Sequence, residues 1–111
     1  MRSEIFVVKT KITKKLGDSV RTIEDKINAN RQLLTVKCDL IREFGGLTEI
    51  GNFKGYWMNA DKIYTDIGDI WLIYSDSGDT LAIIDGFAKR VKIITLQQSQ
   101  LYTIDGKAYF V

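Results

Sequence analysis

Residues 70–74 read Ile-Trp-Leu-Ile-Tyr, and this run decides how the rest of the chain is organised. Consecutive apolar residues rich in aromatic and β-branched side chains are typical of a central strand that is covered on both faces. Turn-forming residues interrupt the pattern on either side of the run, at 67–69 and 75–79. The run therefore predicts a central sheet that other strands and at least one helix must cover.

A hairpin and a first strand are predicted on the N-terminal side of this run. Residues 47–58 form a strand pattern that contains two glycines, which often mark a bulge or a close backbone approach. Asn59-Ala60-Asp61 has turn composition, and residues 62–66 begin the return strand. Residues 4–12 open with Ile-Phe-Val-Val and predict an inner strand near the start of the chain.

Apolar residues at steps of three and four predict a long first helix over residues 19–44. Gly45-Gly46 ends it, because a helix C-terminus commonly needs a residue at positive φ. At about 1.5 Å per residue the helix would span about 39 Å, so we expect a bend at Asn28-Ala29-Asn30 or an N-terminal half that protrudes. The residues expected to face the core are Val20, Ile23, Ile27, Leu34, Ile41 and Phe44.

A second helix and a C-terminal hairpin complete the predicted fold. The helix begins after Asp79, and residues 98–104 predict the last main strand. Asp105-Gly106 is a strong hairpin signal, and residues 108–111 follow it as a short edge strand. The order β-α-β-β-α-β with a short C-terminal β-hairpin extension predicts an α+β, ferredoxin-like antiparallel sheet with two helices on one face. We expect residues 1–111 to form a single domain.

Composition and charge exclude several classes of protein. The chain has 111 residues, of which 45% are apolar and 27% charged, as in ordinary globular proteins, and its net charge of +2 does not indicate a polyanionic partner. The single cysteine, Cys38, excludes an internal disulfide and fits a reducing compartment. The apolar runs are too short for a secretory signal or a membrane span. We therefore expect a cytoplasmic protein without a membrane partner.

The chain contains no histidine, which removes the commonest general base and metal ligand. Ser-His-Asp and Cys-His catalytic systems and zinc sites of Cys and His are thereby excluded, and the sequence has no Walker-type phosphate loop. Asp66 and Asp69 are separated from Asp76 and Asp79 by the central strand, which spans about 20 Å, so the two pairs cannot bind one ion together. We expect no catalytic residue, no metal site and no cofactor.

Several short motifs follow one another between residues 40 and 104. Phe44-Gly45-Gly46-Leu47-Thr48 is followed by Gly55-Tyr56-Trp57, by the acidic Asp66 and by Gln97-Gln98-Ser99. This order resembles a group of small bacterial and phage proteins of unknown function with a Phe-Gly-Gly-Leu-Thr, Gly-x-Trp, acidic, Gln-x-Ser signature. The resemblance implies a ferredoxin-like fold and no particular activity, since the group has none assigned.

The aromatic residues of the predicted strands are candidates for a binding surface. With one face of the sheet covered by helices, some of them must point to the open face, although at least one tryptophan is expected in the core. Gln97 and Ser99 are expected to begin the last strand and either to bond the end of the second helix or to face Glu49 and Tyr56 across the sheet. The candidate binding residues are Glu49, Tyr56, Trp57, Asp66, Trp71, Gln97 and Ser99.

Three hypotheses for the function remain open. The leading one is a non-enzymatic binding or assembly module, phage- or plasmid-encoded, that forms a homo-oligomer such as a dimer through the open sheet face or the terminal strand. Its ligand would be a protein or a small molecule. The second is a nucleic-acid binder that uses the aromatic face and the basic N-terminal edge, where residues 1–15 hold five basic residues and one acidic residue. The third is a small-molecule enzyme that depends on Glu49, Tyr56 or Asp66; we lean away from an enzyme.

Overall fold

The strands and helices follow one another in the predicted order. A computed structural model describes residues 1–12, 20–76 and 78–111. Within these residues one antiparallel sheet has the strand order β2-β3-β1-β4-β5, which confirms the α+β, ferredoxin-like arrangement and its C-terminal hairpin. No helix in these three segments is long and apolar enough to cross a membrane. The elements are β1 (Arg2–Val8), α1 (Val20–Phe44), β2 (Thr48–Asn59), β3 (Lys62–Tyr74), α2 (Thr80–Ile94), β4 (Leu101–Ile104) and β5 (Lys107–Phe110).

The core lies between the two helices and one face of the sheet. Ile5 of β1 and Trp71 of β3 are paired in register and buried on this face, because alternate residues of a strand point to the same side. Phe6 and Phe53 lie on the other face, where their rings meet edge to face with centroids 5.6 Å apart. The helical side chains in the core cluster are Leu33, Val36, Leu40, Ile84, Ala88 and Val91.

α1 is one continuous helix of 25 residues, so the bend expected at Asn28-Ala29-Asn30 does not occur. The Asn30 side-chain amide donates to the Lys26 carbonyl at 2.9 Å, one turn earlier in the same helix. The described side chains of residues 23–32 are exposed or only partly buried, in agreement with the alternative of a protruding N-terminal half. Gly45 adopts a φ of +83° and ends the helix as expected.

The buried face of α1 differs in large part from the predicted one. Phe44 packs against the core as expected, but Ile27, Leu34 and Ile41 are exposed, and the side chain of Val20 lies outside the described part of the chain. Its core residues are spaced three and four apart, as in Leu33, Val36 and Leu40, whereas Leu34 and its neighbours seven residues away are exposed. Both sets satisfy a helical period, but only the first forms an unbroken apolar row along the sheet. Polar residues interrupt the second set between its members, and that set remains in contact with solvent.

β3 runs without interruption from Lys62 to Tyr74, so residues 67–69 are not the break that their composition suggests. Gly68 lies opposite Val8 of β1 and opposite Phe53 of β2. A Cβ atom there would collide with the Val7 carbonyl and come within 2.9 Å of the Phe53 ring. The glycine therefore permits three strands to approach closely and does not end a strand.

Candidate functional site

β2 and β3 extend beyond the sheet as a two-stranded arm, residues 53–67. β1 pairs with β3 only from Gly68 onward, with one further bond from the Lys9 amide to the Ile67 carbonyl. β2 is also an edge strand of the sheet. The arm therefore consists of two strands that pair chiefly with each other. Its large exposed apolar side chains are Tyr56, Trp57, Met58, Ile63, Tyr64 and Ile67.

The register of the arm divides these side chains between two faces. Met58 lies opposite Ile63, on the side of the sheet that carries the helices. Trp57 lies opposite Tyr64, on the other side. Met58 is 66% exposed, Ile63 68% and Trp57 47%, so both faces of the arm present apolar surface to solvent.

Trp57, Tyr64 and Asp66 form a cluster on one side of the arm, together with Thr10 from the segment that follows β1. The rings of Trp57 and Tyr64 stack with centroids 4.5 Å apart and planes inclined by 18°. Trp57 Nε1 donates to Asp66 Oδ2 at 3.1 Å, and Thr10 Oγ1 donates to Asp66 Oδ1 at 3.1 Å. A half-exposed aromatic face beside a carboxylate can stack on a flat ring and accept a hydrogen bond, or pair with a positive charge, from the same ligand.

Glu49 and Trp71 lie opposite each other near the base of the arm. Lys37 of α1 joins them, because its Nζ lies 3.0 Å from Glu49 Oε2 and 5.6 Å from the centroid of the Trp71 ring. Trp71 is buried in the core, as one of the two tryptophans was expected to be. These contacts hold α1 against the edge strand, which is a structural role.

Two of the predicted site residues, Trp57 and Asp66, are thus brought into direct contact. Tyr56 is adjacent in sequence but lies on the opposite face of the arm, opposite Thr65. Tyr64 and Thr10 complete the cluster. Tyr64 is one of the strand aromatics considered for a binding surface, although it was not singled out as a site residue, and Thr10 was not a candidate. The strand register carries the signal for Tyr64, since a two-residue turn at Ala60-Asp61 pairs Asn59 with Lys62 and so places Tyr64 opposite Trp57. No local pattern indicates Thr10.

Gln97 and Ser99 do not begin β4, which starts at Leu101. The chain turns at Leu96, whose φ is +58°, so the next residues form a loop. Gln97 Nε2 donates to the Thr95 carbonyl at 3.2 Å, at the end of α2, and Ser99 is exposed. Because β4 and β2 lie on opposite sides of β1 and β3 in the sheet, neither side chain faces Glu49 or Tyr56, as one alternative required.

The buried polar residue in this loop is Gln100, which the sequence did not single out. Its Nε2 donates to the carbonyls of Phe6 and Leu101, and its backbone pairs with Val111. A glutamine within a run of polar residues has no feature that distinguishes a buried side chain from an exposed one. Its burial follows from where β4 and β5 are placed.

Two lysines of the basic N-terminal edge already have partners. Lys9 forms a salt bridge with Asp69, and Lys11 Nζ donates to the Leu96 carbonyl at 2.8 Å. Lys14 and Lys15 lie outside the described residues. The contacts of Lys9 and Lys11 reduce the positive charge that this edge offers to phosphate groups.

Two groups with shifted pKa values, Asp85 and Tyr102, lie on the side of the sheet away from β2, where α2 packs on β4. Tyr102 of β4 donates its hydroxyl to Asp85 of α2 at 2.7 Å. Hydrogen bonds from Lys89 and from Tyr102 hold the pKa of Asp85 below its ordinary value. Burial, followed by the bond to Asp85, raises the pKa of Tyr102. This pair fastens α2 to the sheet.

Comparison with known proteins bears on the fold. No protein-family model matches the chain, and no curated protein matches it. Among solved structures, the chain is similar to a phage SAM lyase in complex with S-methyl-5'-thioadenosine, with a TM-score of 0.62 at 12% sequence identity. The similarity covers 99% of this chain and 87% of the lyase chain. At this identity the likeness concerns the fold alone, and it shows that a phage protein has the same α+β arrangement.

Proposed function

We propose that the protein is a self-assembling module whose copies meet through the β2–β3 arm. The observation that supports this is the apolar surface on both faces of the arm. A two-stranded ribbon is only marginally stable in water, and a long apolar edge strand is a template for another chain. The fold that it shares with a phage SAM lyase supports a phage origin for such a module.

The energetics favour a partner for the arm. Burial of a large apolar side chain contributes about 1.5–3 kcal/mol relative to leaving it exposed. Met58 and Ile63, which face each other near the tip, would both gain from a partner, as would the exposed Tyr56 between them and the sheet. Large contiguous apolar patches on soluble proteins commonly mark interaction sites.

The proposal is tested by measuring molar mass with light scattering and analytical ultracentrifugation across a range of protein concentrations. The wild-type chain is expected to be an oligomer that dissociates on dilution. The double variant Met58→Lys/Ile63→Lys is expected to have a lower molar mass than the wild type at the same concentration, with an unchanged circular dichroism spectrum. Ile93→Lys is the matched control, since Ile93 is 75% exposed but lies on α2. A wild-type chain that stays monomeric at high concentration would refute the proposal.

A second candidate function, binding of an adenine nucleoside, is favoured by the cluster of Trp57, Tyr64 and Asp66. The aromatic pair offers a stacking face for a purine, and the Asp66 carboxylate lies beside it. The structurally similar lyase acts on SAM and was solved with S-methyl-5'-thioadenosine, which makes this nucleoside class the one to test. A carboxylate at this position would accept a hydrogen bond from a ribose hydroxyl or form an ion pair with the positively charged sulfonium of SAM.

Isothermal titration calorimetry with SAM and with S-methyl-5'-thioadenosine separates these roles. Trp57→Leu is expected to weaken the binding of both ligands, because both carry the purine that would stack on the indole ring. Asp66→Asn is expected to weaken the binding of SAM more than that of the uncharged nucleoside, because only SAM carries the sulfonium charge. Asp76→Asn, in the loop after β3, serves as the control. If neither ligand binds at millimolar concentration, the nucleoside site is excluded while the assembly proposal stands.

A further inference from the structure

A second apolar surface runs along α1 and takes no part in the core. Ile27 is 43% exposed, Leu34 56% and Ile41 40%. Successive members are seven residues apart, so they lie on the same side of the helix at intervals of about 10.5 Å. We call these three residues the outer stripe. Residues seven apart occupy equivalent positions of a heptad, so this side of the helix presents one large apolar side chain in every two turns.

The outer stripe lies on the side of α1 that faces the edge of the sheet at β2. Lys37 marks that side through its ion pair with Glu49. At 100° per residue, Leu34 and Ile41 lie within about 60° of Lys37 around the helix, farther from the core. A partner that covers the outer stripe therefore also lies alongside the exposed edge strand.

We propose that the outer stripe packs against the outer stripe of a second copy, with the two α1 helices antiparallel and Leu34 at the two-fold axis. Ile27 and Ile41 are each seven residues from Leu34. Antiparallel pairing about Leu34 therefore places Ile27 of one copy against Ile41 of the other, twice, and Leu34 against its own counterpart. One surface is then self-complementary, as a two-fold interface requires.

Charge selects the antiparallel direction over the parallel one. Glu24 and Arg42 are eighteen residues apart, or about five turns, so they lie on the same flank of the stripe. Antiparallel pairing brings Glu24 of one copy within a turn of Arg42 of the other, at both ends of the interface. Parallel pairing about a two-fold axis would instead put the two copies' flanks on opposite sides of the interface, so that Glu24 of one copy would not meet Arg42 of the other. Arg42 is well exposed and its present partner, Asp39, lies on the same helix, so its charge is accessible.

This inference rests on the proposed self-assembly and names one surface through which it occurs. It is tested by cross-linking single-cysteine variants with a short thiol-specific bifunctional reagent, since packed helices lie about 8–10 Å apart. Cys38→Ser removes the natural cysteine first. In that background Leu34→Cys is expected to cross-link to itself. A mixture of Ile27→Cys chains with Ile41→Cys chains is expected to cross-link more than either chain alone.

The controls separate the possible failures. Ile93→Cys, on an exposed position of α2, is expected not to cross-link. Leu34→Asp is expected to lower the molar mass without changing the melting temperature at high dilution, because Leu34 is exposed in the single chain. If the wild type is an oligomer and Leu34→Cys fails to cross-link, this interface is refuted and the assembly proposal survives. If Ile27→Cys links efficiently to itself, the helices are parallel and the inference is wrong.

Discussion

The indole N–H of Trp57 donates to the carboxylate of Asp66 across the arm, with 3.1 Å between Nε1 and Oδ2. The other carboxylate oxygen accepts from Thr10, whose own Oγ1 accepts the Ile67 amide at 2.9 Å. One partly buried carboxylate therefore ties both strands of the arm to the segment after β1. It holds an otherwise isolated hairpin in a fixed position relative to the sheet.

Loss of this carboxylate should loosen the arm. Asp66→Ala removes the acceptor for both Trp57 and Thr10, and hydrogen bonds to charged groups contribute about 1.5–3 kcal/mol each. We expect a loss of free energy of unfolding of about 2 kcal/mol in urea titrations, with faster amide exchange in residues 53–67. Asp76→Ala, in the loop after β3, is the control and should change little. Unaltered exchange in the arm would show that Asp66 does not anchor it.

Gly68→Ala should destabilise the protein strongly. The new methyl group would collide with the Val7 carbonyl and press on the Phe53 ring, so β1 and β3 would have to separate. A loss of about 3 kcal/mol or more is expected, as for overpacked cores, and thermal unfolding measures it. Gly86→Ala is the matched control, because nothing lies within 4 Å of a Cβ there. In the interior of α2 that change should stabilise the protein by up to about 1 kcal/mol.

The order of strands and helices could be predicted from the sequence, because local residue patterns indicate where several of the elements begin and end. The structure has a helix end and two hairpins where the sequence has turn-forming residues. These are the glycine pair at 45–46, the turn at 59–61 and Asp105-Gly106. These signals depend on backbone conformation of single residues. They therefore need no knowledge of what packs on what.

The details that failed depend on long-range packing. Gly68 has the composition of a break, yet it serves a close approach to β1, which is sixty residues away in the sequence. Both apolar stripes of α1 satisfy the helical period, so the period alone does not assign Leu33 to the core and Leu34 to solvent. Trp57 and Asp66 were candidates from their motif, but their contact with Thr10 required the folded chain.

Gln100→Leu tests a buried polar residue that no pattern identified. Leucine has a similar volume but leaves the Phe6 carbonyl without the donor that Gln100 supplies. An unsatisfied buried acceptor costs about 1–3 kcal/mol, so the midpoint of urea unfolding should fall accordingly. The exposed Gln98→Leu is the control. Equal midpoints for the two variants would mean that the Phe6 carbonyl finds another partner.

The Tyr102–Asp85 pair predicts how stability depends on pH at both extremes. The pKa of Asp85 is lower in the folded chain than in the unfolded one, because Lys89 and Tyr102 donate to its carboxylate. Its contribution is therefore present above the unfolded value of about 3.9 and lost as the pH falls through the folded value. Burial raises the pKa of Tyr102, so its contribution is present below about pH 10 and lost as the pH rises above that value.

Two variants separate the acid and alkaline parts of this pH dependence, measured as the free energy of unfolding in urea titrations from acidic to alkaline pH. Asp85→Asn should weaken the pH dependence on the acid side (the acid limb), because the side chain no longer titrates. Tyr102→Phe should flatten the alkaline limb and lower the free energy of unfolding at neutral pH by about 1 kcal/mol, the usual contribution of one hydrogen bond. Tyr74→Phe, at a residue that is 63% exposed, controls for the loss of a phenol hydroxyl. An alkaline limb that persists in Tyr102→Phe would assign it to other groups, since only a titrating hydroxyl at residue 102 produces the predicted dependence.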